Sequence, residues 1–239
     1  MDYPPARQSN AQDCVVFPVE HPSVTANTFL RRFKASRPCI VERVWYYNQT
    51  GLAEHADNAF DVSVLNVSAD ALVVADQTFT AANATEIFTA VAHGLLTGDG
   101  PFQVSNSGGG LPTGLTAATD YYIIKIDADT FYLAASRALA YVGTAVAITC
   151  DGTGTQTISD TADTVRPIVV ASGIDTDSDE TGTNTLVADV FNALAVTAAN
   201  RFLEKDEELA FLLREDGSAT LPAGCFLVEI RYVSPQPAL

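Results

Sequence analysis

Phe226-Leu-Val-Glu-Ile-Arg-Tyr-Val233 decides the fold class. Phe226, Val228, Ile230 and Tyr232 fall on one side of an extended chain, with Leu227, Glu229 and Arg231 on the other. That alternation describes a strand with one face in a core. The same period recurs upstream in Phe60-Asp-Val-Ser-Val64. Cys39-Ile-Val-Glu-Arg-Val-Trp-Tyr-Tyr47 and Pro167-Ile-Val-Val-Ala171 carry the branched and aromatic residues that strands favour, and Val190 to Val196 reads as another strand. Asn48-Gln-Thr-Gly51 and Glu54-His-Ala-Asp-Asn58 supply the loop chemistry between strands. One segment competes: Leu203–Arg214 has a helical composition. It is read as a charged turn followed by a strand over Leu209–Leu213.

The stretch from about Thr80 to Asp163 differs in style. It is rich in Gly, Thr and Ala, and its only basic residues are Lys125 and Arg137. Within it, Tyr121-Tyr-Ile-Ile-Lys-Ile126 and Phe131-Tyr-Leu133 flank the turn Asp127-Ala-Asp-Thr130 and predict a hairpin. Turns at Leu96–Gly100, Ser107–Gly110 and Asp151–Gly154 space further short strands as in a small sandwich. The first style then returns. The organisation expected is an extended, Pro-rich arm over 1–27, an outer sandwich from 28–79 plus 164–239, and an inserted β-domain over 80–163. Insertion at a loop tip leaves the host core undisturbed.

The 239 residues are 47% hydrophobic and 18% charged, with 29 Asp+Glu against 13 Lys+Arg, a net charge of −16. Such a surface repels a phosphate backbone, which argues against sequence-independent nucleic-acid binding and against anionic membranes. The Met-Asp-Tyr-Pro-Pro start lacks the basic and apolar regions of a secretory signal, so cytoplasmic synthesis is expected. No apolar run approaches the ~20 residues that span a bilayer. Cys14, Cys39, Cys150 and Cys225 lie far apart with no Cys-x-x-Cys, which predicts buried thiols rather than a disulfide scaffold or zinc site.

No catalytic constellation emerges. His21 lies in the Pro-rich segment, His55 in a polar loop and His93 in a turn, and no hydrolase, metalloprotease or phosphate-loop motif occurs. No enzyme activity, cofactor or metal is expected. Asp175-Thr-Asp-Ser-Asp-Glu-Thr-Gly182 offers alternate carboxylates for calcium. The EF-hand pattern then fails, since Glu180 and Leu186 stand where a glycine and a bidentate acid belong. The sequons at Asn48, Asn66 and Asn83 carry no weight without secretion. Trp45-Tyr46-Tyr47 reads as a core or subunit-interface strand ahead of a sugar platform.

His93-Gly-Leu-Leu-Thr-Gly-Asp99, Leu111-Pro-Thr-Gly-Leu115, Asp120-Tyr-Tyr-Ile-Ile124, Asp129-Thr-Phe-Tyr-Leu-Ala134 and Gly152-Thr-Gly-Thr155 follow one another in an order that resembles a β-domain of bacteriophage virion proteins, found in tail and head-associated proteins. The flanking halves resemble phage head-decoration proteins, through Cys39–Tyr47, Phe60–Val64 and the Leu221-Pro-Ala-Gly224 turn before the last strand. The resemblance implies an all-β, jelly-roll-like sandwich interrupted by a smaller inserted sandwich. It also implies a capsid decoration (cement or spike) protein on the outer surface of the virion head. The partners implied are the major capsid protein and, in a homotrimer, the chain itself. A tail or baseplate component with a host-binding insert is the alternative, and a free carbohydrate-binding module a third. Eleven of the thirteen basic residues lie outside the insert, and Arg31, Arg32, Lys34 and Arg37 cluster where the arm meets the sandwich. These four are the candidate capsid contacts, with a solvated strand edge as the competing reading.

Overall fold

The computed structural model describes residues 14–53, 55, 59–68, 71–176, 186–216, 220, 221 and 223–233, and the backbone alone at Cys14, Arg31, Arg32 and Asp216. In chain order the strands are β1 (Cys14–His21), β2 (Thr28–Lys34), β3 (Cys39–Asn48) and β4 (Ala59–Asn66). There follow β5 (Gln77–Ala82), β6 (Ile87–Thr89), β7 (Gly100–Ser107), β8 (Tyr122–Lys125), β9 (Thr130–Ala134), a short helix α1 (Arg137–Tyr141) and β10 (Thr155–Val165). The chain ends with β11 (Ile168–Asp175), β12 (Phe191–Val196), β13 (Phe202–Leu203), β14 (Glu208–Asp216) and β15 (Gly224–Tyr232). All named strand pairs are antiparallel.

The first sheet runs β1-β15-β3-β12-β11-β4-β14-β2, with β13 added beside β3. Its middle is a narrow join, since β12 and β11 share only the pairs Ala171↔Val196 and Ser172↔Ala195. There the sheet folds over, placing β1-β15-β3-β12 against β11-β4-β14-β2. The far edges meet as the rings of Phe17 on β1 and Phe33 on β2 stack at 4.7 Å. Four strands facing four in this order is the topology of an eight-stranded jelly roll. Between the layers lies a core built on Tyr46, Phe60, Phe211 and Phe226, each at most 1% exposed. Each such ring contributes roughly 1.5–3 kcal/mol by leaving water. As the alternation of 226–233 requires, Phe226, Val228 and Ile230 are fully buried, while Leu227, Glu229 and Arg231 point outward.

The segment read as an arm is partly a strand. Cys14–His21 pairs along its whole length with β15, and Val19 and His21 enter the core. Pro18 is compatible with this because β1 is an edge strand, where a missing N–H costs no ladder bond.

The second sheet, β7-β10-β5-β6-β9-β8, belongs to the insert. A bridge between Phe102 and Tyr121, with N–H···O distances of 2.8 Å in both directions, ties β7 to the residue before β8. The sheet thereby closes on itself around Phe88, Phe102, Ile123, Phe131 and Leu133. Ala71 bridges Val165, and β5 and β10 run past both 80 and 163. The turn before β9 forms as its sequence directs, with Asp127 Oδ1 accepting from the N–H groups of Asp129 and Thr130 at 2.8 Å. Over 203–214 the charged residues form a turn and β14 begins at Glu208, so the helical composition is overridden by burial of Leu209, Phe211 and Leu213.

Candidate interaction surface

The two outer faces of the jelly roll are used differently. On the β11-β4-β14-β2 side, Leu65, Val67, Ala210 and Leu212 form a separate small core with Phe29 and Tyr141. Tyr141 comes from α1, whose N-terminus is capped by Ser136, its Oγ accepting from the Leu139 N–H at 3.2 Å. Arg137 clamps the junction, donating to the carbonyls of Val67 (2.9 Å), Gly98 (2.9 Å) and Gly100 (2.7 Å). A second clamp sits where the chain leaves β10. Arg166 Nε donates to Asp99 Oδ1 at 3.0 Å, and the Asp99 carboxylate is wholly buried. Hydrogen bonding to Asp99 raises the Arg166 pKa against the opposing effect of burial. The insert thus covers one face.

Among the described residues, the opposite face, on β1-β15-β3-β12, has no such cover. Registers place Pro18, Leu227, Trp45 and Ala193 in one lateral row, and Glu20, Cys225, Tyr47 and Phe191 in the next. Trp45, Tyr47 and Leu227 are half-buried, whereas Phe191 is 55% exposed and Val16, one row away, 51%. The Tyr47 and Phe191 rings lie 5.2 Å apart, and the Tyr47 hydroxyl donates to Asp189 at 3.2 Å. These exposed and half-exposed apolar side chains make this face the candidate interaction surface. Most of its charges are paired: Glu42 meets Arg231 at 2.7 Å and Arg201 at 3.4 Å, and Arg43 meets Glu229 at 3.7 Å, while Glu20 adds an exposed carboxylate in the second row. On a chain of charge −16 this face is close to neutral.

The Trp45-Tyr46-Tyr47 alternation is realised with Tyr46 inward and its neighbours outward. The inward phenol carries a polar atom into the core, and it is satisfied there. Its hydroxyl lies 2.7 Å from His21 Nε2 and accepts from Asn48 Nδ2 at 3.3 Å. His21 Nδ1 donates to the Pro22 carbonyl at 2.7 Å, leaving Nε2 as the acceptor of the tyrosine proton. Burial lowers the His21 pKa, opposed by the Pro22 bond, and burial raises that of Tyr46, opposed by Asn48.

Of the four basic candidates, Arg31 and Arg32 lie on the edge strand β2, with Arg31 registered against Ala210. Their side chains fall outside the described residues. Lys34 is exposed and paired with Asp206 at 3.5 Å, within a turn that also carries Glu204 and Glu207. Arg37 is exposed over the Tyr232 ring, 4.1 Å from its centre. Lys34 and Arg37 therefore sit beside acidic and aromatic neighbours rather than in an unopposed positive field.

His55 hydrogen-bonds through its backbone to Thr176 (2.9 Å), and His93 is buried, its Nδ1 accepting from the Leu95 N–H at 3.0 Å. Among the described residues no three His, Cys, Asp or Glu side chains gather as metal ligands. Residues 177–180 of the acidic loop weighed for calcium, and its Thr181 and Gly182, lie outside the described residues. Of the cysteines expected to be buried, Cys39 is, whereas Cys150 and Cys225 are partly exposed, Cys150 in a loop where it accepts from the Thr113 N–H at 3.1 Å; the Cys14 side chain lies outside the described residues. The sequence reading singled out Trp45 and Tyr47 but not Leu227 or Phe191, because cross-strand neighbours become visible only once register is known. No protein-family model matches the chain, and no curated protein matches it.

Proposed function

We propose that this protein is a bacteriophage structural protein, a decoration (cement or spike) protein of the virion head. In this reading it docks on the assembled shell through the jelly roll and associates with copies of itself, as a homotrimer, through the Trp45 face. The observation that carries the reading is the asymmetry of the two outer faces. One carries the insert over Leu65, Val67, Ala210 and Leu212, and the other presents Trp45, Leu227, Tyr47 and Phe191 on a near-neutral ground. An acidic chain meets a second acidic chain at least electrostatic cost through such a face. Jelly rolls serve as viral shell components among many other roles, so the fold is compatible with this function without specifying it.

The β2 edge, with Arg31, Arg32, Lys34 and Arg37, is the proposed capsid contact. A protein that binds the assembled shell and not free subunits stabilises the shell by mass action. Electron microscopy of virions labelled with antibody against the insert tests this reading. Label over the head surface is expected, and label confined to the tail would replace it with the tail or baseplate alternative.

A further inference from the structure

The loop between β6 and β7 carries a histidine into the core of the insert. Its backbone is stapled to the turn before β9: the Ala90 N–H donates to the Asp129 carbonyl at 2.9 Å, the Ala92 N–H to Asp129 Oδ1 at 2.7 Å and the His93 N–H to the Ala128 carbonyl at 3.2 Å. The His93 side chain, 2% exposed, lies edge-on to the buried Phe131 ring with 5.2 Å between centres. Gln77 reaches the same place from β5. It is in register with the buried Ile158, which puts its side chain on the core side of the sheet, and its Nε2 donates to the His93 carbonyl at 3.2 Å.

Each of these two residues keeps one buried polar atom that has no partner among the described residues. His93 Nδ1 accepts from the Leu95 N–H at 3.0 Å and is therefore unprotonated, which places the ring proton on Nε2 as a donor. That Nε2 is buried without an acceptor. The Gln77 Oε1 is buried without a donor, and its amide cannot turn over without giving up the bond from Nε2 to His93. The core thus holds an orphan donor and an orphan acceptor on two residues that already touch. Leaving either unmet is costly, and buried polar groups in folded proteins are paired with protein or with ordered water. One molecule that accepts and donates satisfies both atoms. Water has that chemistry and is small enough for an interior shared with Leu95, Phe131 and Ile158.

We propose that the core of the insert binds one ordered water molecule, which accepts from His93 Nε2–H and donates to Gln77 Oε1. The water ties β5 to the loop before β7, and it gives the histidine of His93-Gly-Leu-Leu-Thr-Gly-Asp99 a function that alternation and turn chemistry leave unexplained. The site lies within the insert and is independent of how the jelly roll attaches.

The test is nuclear magnetic resonance of the full-length chain with nitrogen-15 in its histidines, beside a crystal structure sharp enough to show waters. His93 is expected as the Nε2–H tautomer, with His21, whose proton is on Nδ1, as the opposite tautomer in the same spectrum. The His93 Hε2 signal should show an Overhauser effect from a water that stays bound longer than the protein tumbles. Density for a water should lie within hydrogen-bond distance of both His93 Nε2 and Gln77 Oε1. Gln77→Met, which keeps the chain length and removes the acceptor, should abolish the water signal at His93 and leave its tautomer unchanged. A direct hydrogen bond from His93 Nε2 to Gln77 Oε1, an Nδ1–H tautomer at His93, or a water signal that survives Gln77→Met would each overturn the proposal. Should that variant fail to fold, the wild-type Overhauser effect and density decide alone: both present uphold the site, and either missing removes it.

Discussion

The ring of Tyr141, on the only helix among the described residues, stacks on Phe29 of the jelly roll at 5.2 Å and 7° between planes. This contact makes the insert a fixed layer on the β11-β4-β14-β2 sheet. Leu65, Val67 and Leu212 are buried in the same small cluster. Tyr141→Ala is therefore expected to lower stability by on the order of 3 kcal/mol and to separate a single thermal transition into two, as read by calorimetry. Removing Ala71–Val165 altogether exposes that face. The truncated chain should self-associate, and Phe29→Ser with Leu212→Thr should restore a monodisperse species in light scattering.

The junction clamp makes a second prediction. Asp99 is fully buried and its charge is matched by Arg166. Arg166→Ala strands that carboxylate and should cost about 3–5 kcal/mol in urea denaturation, whereas Asp99→Asn with Arg166→Gln should cost distinctly less. Equal losses in the two variants would show that the charge pair is not what the junction depends on.

His21 supplies a pH dependence with a definite sign. Its pKa in the folded chain is lowered from an ordinary value of about 6.5, so below that pH the unfolded chain binds more protons than the folded one. Stability is then complete above about pH 6.5 and declines as pH falls toward the folded value. Protonation would also remove the acceptor of the Tyr46 proton and place a second donor, beside Asn48, against the Tyr46 hydroxyl. His21→Gln should flatten the decline between pH 6.5 and 5 in thermal melts, and an unaltered slope would assign it to carboxylates instead.

The open face makes a prediction about assembly. Half-buried aromatic residues at the centre of an interface carry much of its energy. Trp45→Ala is expected to cost at least ~2 kcal/mol of association, roughly thirtyfold in dissociation constant, with Phe191→Ser in the same direction. Sedimentation equilibrium reads both. A wild-type chain that stays monomeric at all accessible concentrations would remove self-association in solution from the account.

Much of the jelly roll was legible because burial on one face imposes period two, as in Phe226–Tyr232 and Cys39–Tyr47. The β8–β9 turn was legible for a local reason, the Asp127 side chain closing it. What escaped depended on distant partners. Cys14–His21 reads as an arm because of its proline, and it becomes a strand only because β15 offers an edge to it. The helix Arg137–Tyr141 is too short to show a period, and its function, seating Tyr141 on Phe29, is written 112 residues away (141 minus 29). Tyr46 and Trp45 could be assigned to opposite faces but not to inside and outside, since that depends on His21 and Asn48 meeting the phenol.

The most direct measurement is co-sedimentation of the full-length protein with undecorated capsids at stepped salt concentration. Wild type is predicted to pellet with the shells and to release progressively as salt rises. Replacing Arg31, Arg32, Lys34 and Arg37 by Ser should weaken binding in the same direction, and Fab fragments bound to the insert should leave it intact. Unchanged binding by the four-residue variant, together with loss of binding under the Fab, would contradict attachment through the jelly roll and transfer the contact to the insert.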